Sequence, residues 1–150
     1  NDAEICQAVA ANLARVGVKI NLEAETKGTY FPKILRRDTS FYMLGWTAST
    51  VDAHNVLYPI LSTPGDGGRG QFNLGAYSNA KVDELTDKVQ SETDQKKRNE
   101  MIRDAMKMHQ DDIGHLPLHQ QTLNWGAKKN INLVQWPDNG MPWRYINVAK

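Results

Sequence analysis

The chain has 150 residues, enough for one compact domain with a sizeable core. Its 18 Lys and Arg balance 17 Asp and Glu, which excludes the basic excess that drives binding to a phosphate backbone or an anionic membrane surface. Hydrophobic residues make up 40% of the chain at both helix and strand period, which excludes a disordered polymer, and no run of about 18 apolar residues offers a membrane span.

The first stretch is the clearest. Ile5, Val9, Leu13 and Val16 make one helical stripe, with Asp2 as the expected N-cap and Gly17 as the stop. The single Cys6 lies in this helix, cannot form an internal disulfide, and reads as a small buried hydrophobe. No basic start with an apolar core precedes it, which fits a cytosolic protein, a mature secreted protein or an excised piece. Val18, Ile20, Leu22 and Ala24 then alternate with polar residues, so the helix is expected to feed a strand.

"GTYFPKILRRD" predicts a short helix with Pro32 in its first turn. "SFYMLGW" predicts a central strand, apolar on both faces. The order helix, strand, helix, strand gives an α/β fold class with parallel neighbours. "DAHNVLYPIL" predicts a short helix capped by Asp52, followed by a glycine-rich surface loop through Tyr77. Two helices follow. One is capped by Ser78 or Asn79 and buries Val82, Leu85 and Val89. The other is capped by Thr93 or Asp94, with Ile102, Ala105, Met106 and His109 on one face. Residues 113–130 return to strand character, and in the last twenty residues only 145–148 resemble a strand.

Candidate chemistry is sparse. "PGDGGRG" lacks the helix and the Lys-Ser/Thr that a phosphate cradle needs. His115 and His119 stand four apart, but Pro117 between them argues against a helical metal pair, and no further ligand completes a set. No G-x-S-x-G elbow is present, and Asp111-Asp112 read as solvated. No catalytic residue, metal ligand or cofactor site is therefore expected, and a small α/β hydrolase is the weaker alternative. Trp46 is the exception. It stands where a strand ends, beside the hydroxyls of Thr47, Ser49 and Thr50. Such a residue either fills the edge of the core or forms the apolar wall of a ligand pocket, since α/β sheets bind ligands outside the carboxyl ends of their strands.

Taken in order, "ICQAVAANLARVGVKINLEAE", "FYMLGWTASTVDAHNVL", "NLGAYSNAKVDELTDKVQSETDQKKRNEMIRDAMKMHQDD" and "LPLHQQTLNWGAKKNI" resemble the C-terminal part of family 5 extracellular solute-binding proteins, the peptide, oligopeptide and nickel receptors of ABC importers. "YSNAKVDEL" resembles that family's Tyr-Ser-Asn-Pro-x-Val-Asp-x-Leu, with Ala80 in the proline's place. The resemblance implies the C-terminal lobe of a two-lobe, clamshell periplasmic-binding fold, with a mixed sheet flanked by helices. Residues 1–119 would form most of that lobe, and 120–150 the tail that crosses back to the first lobe.

It further implies a periplasmic or lipid-anchored protein that closes on a peptide or related small amphiphilic ligand and hands it to an inner-membrane permease. The matching tryptophan of peptide-binding members lines the pocket, which places Trp46, Thr47 and Ser49 at the ligand. Three residues after that tryptophan such members carry an aspartate that pairs with the ligand's α-ammonium group. Here the residue is Ser49, so a non-peptide ligand such as an opine or oligosaccharide is the alternative. Trp125, Trp136 and Trp143 mark the tail as a surface through which a fragment would self-associate.

Overall fold

The computed structural model describes residues 2–149. The chain divides into two compact units, Asn1–Gly45 and Trp46–Lys150.

In the first unit, helix α1 spans Asp2–Ala14 and α2 spans Lys27–Leu35. The stop at Gly17 is as expected. Gly17 adopts φ +85°, its N–H reaches the Ala14 carbonyl, and the Val18 N–H reaches that of Leu13. This pair of bonds satisfies carbonyls that the helix end would leave open. Asp2 lies inside α1, and the residue before it is outside the described residues. Ile5, Val9 and Leu13 are half-buried, while Val16 is exposed. The core of this unit is small: Ile34 of α2 is buried, and the Tyr30 hydroxyl bridges the backbone of Met43, donating to its carbonyl at 2.6 Å and accepting its N–H at 3.1 Å.

The expected strands at 18–24 and 40–46 do not form. Both stretches are irregular, and Val18, Ile20 and Leu22 are exposed. Alternation supplies one apolar face, but a strand also needs a neighbour to take its backbone N–H and C=O groups, and no described segment does so. The expectation of a mixed sheet with parallel neighbours is thus replaced by a mostly helical chain. Among the described residues the one sheet is a two-stranded antiparallel pair of β1 (Ile131–Asn132) and β2 (Asn147–Val148). β2 falls within the predicted strand at 145–148, whereas residues 113–130 form none.

The second unit holds the main core. A single helical turn, α3 (His54–Val56), runs into a π-helical turn at Leu57–Leu61. Helices α4 (Ala80–Ser91) and α5 (Gln95–Asp111) pack against each other and against that turn. Leu57, Leu61, Val89 and Ala105 are buried at the centre, flanked by Leu85, Met101 and Ile102. Val82 and Val89 point inward as predicted, but Met106 is exposed and Met101 takes its place on the buried face. Asn79 caps α4 by accepting the Lys81 N–H at 2.9 Å, and Asp94 caps α5 by accepting that of Lys97 at 3.0 Å.

The glycine-rich loop is fastened rather than free. Buried Asn73 donates to the carbonyls of Ser62 and Tyr77, both at 2.8 Å, and accepts the Tyr77 N–H. Asp83 of α4 accepts the Thr63 N–H at 2.9 Å and its hydroxyl at 2.6 Å. Arg69 pairs with Asp83 and Asp87, so the loop's one cation is already engaged.

Candidate functional site

Asn55 ties the start of the segment 46–55 back to its end. Its carbonyl accepts the indole N–H of Trp46 at 3.0 Å, and its side-chain oxygen accepts the Ser49 N–H at 3.1 Å. That carbonyl is open because residue 59 is proline. In a regular helix the N–H of residue 59 would claim it, and proline has none. The indole also leans on Phe72, with ring centroids 5.1 Å apart and planes at 51°. Trp46 nevertheless remains 40% exposed, so it offers an apolar face to solvent in addition to its packing. Thr47 and Ser49 are exposed on the same turn, and Thr47 takes no part in the Asn55 contacts.

Val51 adopts φ +56° with 78% of its surface exposed. A β-branched residue is strained there, because its branched Cβ crowds the backbone, and no burial compensates for it.

Asp52 follows, and one of its oxygens does two things. It accepts the His54 N–H at 2.8 Å, and it accepts the Arg98 guanidinium at 2.9 Å; the N-cap of α3 is Ala53 and not, as expected, Asp52, so Asp52 holds the helix start from one residue further out. Arg98 also donates to the Val89 carbonyl at 3.1 Å, so it ties the start of α3 to the last turns of α4. The Arg98 guanidinium, together with the His54 N–H, holds the Asp52 carboxyl below the usual carboxylate range. Burial pushes the neighbouring His54 imidazole down. Thr50, Asp52, His54, Asn55, Gln90 and Arg98 surround a cleft of about 270 Å³. His54 Nε2 is covered by protein and has no hydrogen-bond partner among the described residues.

Asn55, Phe72 and Arg98 were not singled out in the sequence. Pro59, four residues after Asn55, is the one signal that could have pointed to the open carbonyl. Arg98 is 46 residues from its partner and carries no such signal.

A second cluster lies at the end of α5. His109 is buried, and its Nε2 is 2.9 Å from His115 Nδ1 in a stacked pair. His115 thus pairs with His109 and not with His119, which is exposed. Burial pushes His109 down to about 4, with the neighbouring His115 adding to the effect, and burial lowers His115 as well. The Tyr77 ring meets His109 edge-on, and its hydroxyl donates to Asp112 at 2.7 Å beside a second bond from Asn79. Asp112 is therefore a tether between the α4 cap and the end of α5, and it stays exposed to solvent as expected. Among the described residues, no group of three His, Cys, Asp or Glu side chains could hold a metal ion.

A third feature is an apolar cleft of about 460 Å³ in the tail, whose walls include Trp125, Ile131, Leu133, Met141, Trp143 and Ile146. No described helix is long and apolar enough to cross a membrane.

Residues 1–68, which include the whole 46–55 turn, match the family "Bacterial extracellular solute-binding proteins, family 5 Middle". The chain is 27% identical over 139 residues to the oligopeptide-binding protein OppA of Bacillus subtilis, a match covering 92% of this chain and 25% of that protein. It is 20% identical over 128 residues to di/tripeptide-binding protein 3 and to the dipeptide-binding protein of Pseudomonas aeruginosa, covering 85% of this chain and 24% of each. The chain therefore spans about a quarter of the length of the curated relatives it matches. No solved structure matches.

Proposed function

We propose that this chain, whose residues 1–68 match the bacterial extracellular solute-binding proteins of family 5, is a piece of such a protein and supplies one wall of a solute-binding cleft in a receptor for an ABC importer. The relatives are named for binding oligopeptides and dipeptides, and a peptide or similar small amphiphile is the ligand this reading assigns here. The observation that carries it is Trp46. An indole pinned by its own N–H to Asn55, backed by Phe72 and yet 40% exposed presents a fixed apolar plate beside the Ser49 and Thr47 hydroxyls. The role is binding, not catalysis.

On this reading residues 1–119 form most of the C-terminal lobe of a two-lobe clamshell. Residues 120–150 form a tail that returns to the other lobe, and closure buries the ligand before transfer to the permease. The strand-patterned stretches 18–24 and 40–46 then find their neighbours in the complete lobe. The protein works in the periplasm or on the outer face of the cell.

The test is ligand-induced stabilisation of the full-length protein by a di- to oligopeptide mixture. Saturation at about a hundred times Kd stabilises by about 2.7 kcal/mol. Trp46→Ala is expected to abolish the Tm rise. A rise equal to that of the unsubstituted protein would return Trp46 to the role of edge filler.

The tail supports a second association. Trp143 is 75% exposed beside the apolar cleft, and self-association of the isolated chain through this surface would show as concentration-dependent sedimentation. A monomer at every concentration would refute it.

A further inference from the structure

We infer that the cleft beside Trp46 receives an uncharged, hydrogen-bonding end of the ligand and discriminates against a free ammonium group, with Arg98 as the residue that sets this preference. The inference rests on the binding role proposed for Trp46 and names the class of ligand that the same site takes.

The argument is a count of charge. The segment 46–55 contains a single carboxylate, Asp52. An ammonium group brought from water into a cleft must recover its hydration from a negative partner, and an uncompensated one is costly to bury. Asp52 is already neutralised by a cation. Its Oδ1 accepts both the Arg98 guanidinium at 2.9 Å and the His54 N–H at 2.8 Å. The remaining lining residues Thr50, Asn55 and Gln90 are uncharged, and burial favours the neutral form of His54. The charge of the cleft lining therefore sums to zero, and an arriving cation would meet the Arg98 charge as well as that of Asp52.

What the lining does offer is neutral hydrogen bonding. The Thr50 hydroxyl and the Gln90 and Asn55 amides supply both donors and acceptors. His54, whose Nε2 is covered by protein and has no partner among the described residues, brings no charge to this lining. Ser49, whose N–H is bound to Asn55 Oδ1, adds a neutral hydroxyl on the Trp46 side of the same residue. An amide-blocked peptide end or a hydroxyl-bearing neutral molecule fits this lining, and a free amino terminus does not.

The test compares a tri-leucine peptide with its N-acetylated form by calorimetry on the full-length protein at pH 7. The acetylated peptide is expected to bind at least as tightly as the free one. Free peptide binding tenfold tighter would overturn the inference while leaving the binding role of Trp46 intact. No heat or Tm change with either peptide would instead overturn the binding role, and the inference with it.

Two variants locate the cause. Arg98→Met releases Asp52 and is expected to move the preference tenfold or more toward the free amine. Asp52→Asn keeps an acceptor for the His54 N–H and should leave the preference for the acetylated form in place. A tenfold loss of free-peptide affinity in Asp52→Asn would make Asp52 the ammonium anchor and refute the role given to Arg98.

Discussion

Asn55 gives its carbonyl to the Trp46 indole at 3.0 Å, and Pro59, one helical turn on, leaves that carbonyl free by having no N–H. The position of the aromatic plate thus depends on a residue that does not touch it. Pro59→Ala restores a competing donor. It is expected to weaken ligand binding about two- to tenfold, the value of one neutral hydrogen bond, with little change in Tm. Calorimetry on the full-length protein measures this. Unchanged affinity would mean that the indole is placed by Phe72 alone.

The histidine pair predicts a pH dependence with a definite sign. An unfolded histidine takes its proton near pH 6.5, whereas folded His109 takes one only at about 4. Between these values the unfolded chain binds more protons, so stability present above about pH 6.5 is lost as the pH falls toward 4, by an amount on the order of 3 kcal/mol. Asp52 and Asp112, whose folded carboxyls are held low, lose their contributions only below about pH 4, so the two windows separate. Urea unfolding at pH 7 and pH 5 reads the effect, and His109→Gln should reduce it, leaving what His115 and His54 contribute, since burial lowers those two as well. An equal slope in that variant would assign the acid sensitivity elsewhere.

Leu57 is fully buried where the π-helical turn meets α4 and α5. Leu57→Ala is expected to destabilise by about 2–5 kcal/mol, because a cavity opens among Leu61, Val89 and Ala105, which sit on three separate elements. Chemical denaturation measures it. A loss below about 1 kcal/mol would show that the site collapses around the smaller side chain.

Two backbone positions should respond with opposite signs. A Cβ on Gly70, at φ +57°, would lie 2.5 Å from the Ser62 carbonyl oxygen and 2.7 Å from Pro64 N, both backbone atoms. Gly70→Ala is expected to destabilise by more than about 1 kcal/mol. Val51 holds a similar φ on an exposed turn with no compensating contact by burial, so Val51→Gly is expected to stabilise by up to about 1 kcal/mol. Thermal unfolding of the pair settles both. Destabilisation by Val51→Gly would show that the valine side chain earns its strained conformation through packing.

How much of this was legible beforehand varies with the range of the contacts. Helices α4 and α5 were readable because each carries its own cap and its own apolar face, Asn79 with Val82 and Val89, Asp94 with Ala105 and His109. The two early strands do not form here because alternation at 18–24 specifies a face but not the neighbour that completes a ladder. Trp46 and Ser49 were visible as an aromatic and a hydroxyl at the end of an apolar run. The groups that fix them were not: a backbone carbonyl has no residue signature, and the Arg98–Asp52 pair spans 46 residues. The "HLPLH" spacing drew attention to His119, while the partner of His115 is His109, brought close by the turn at Ile113-Gly114 after α5.

The central claim is that the turn at 46–55 binds a solute with Trp46 as its wall. Native mass spectrometry of the full-length protein, purified without a refolding step, tests it most directly. The account predicts a bound small molecule that is released on denaturation and is missing from Trp46→Ala. A protein that carries no adduct even after incubation with a peptide mixture, or an adduct retained at the same occupancy in Trp46→Ala, would contradict it.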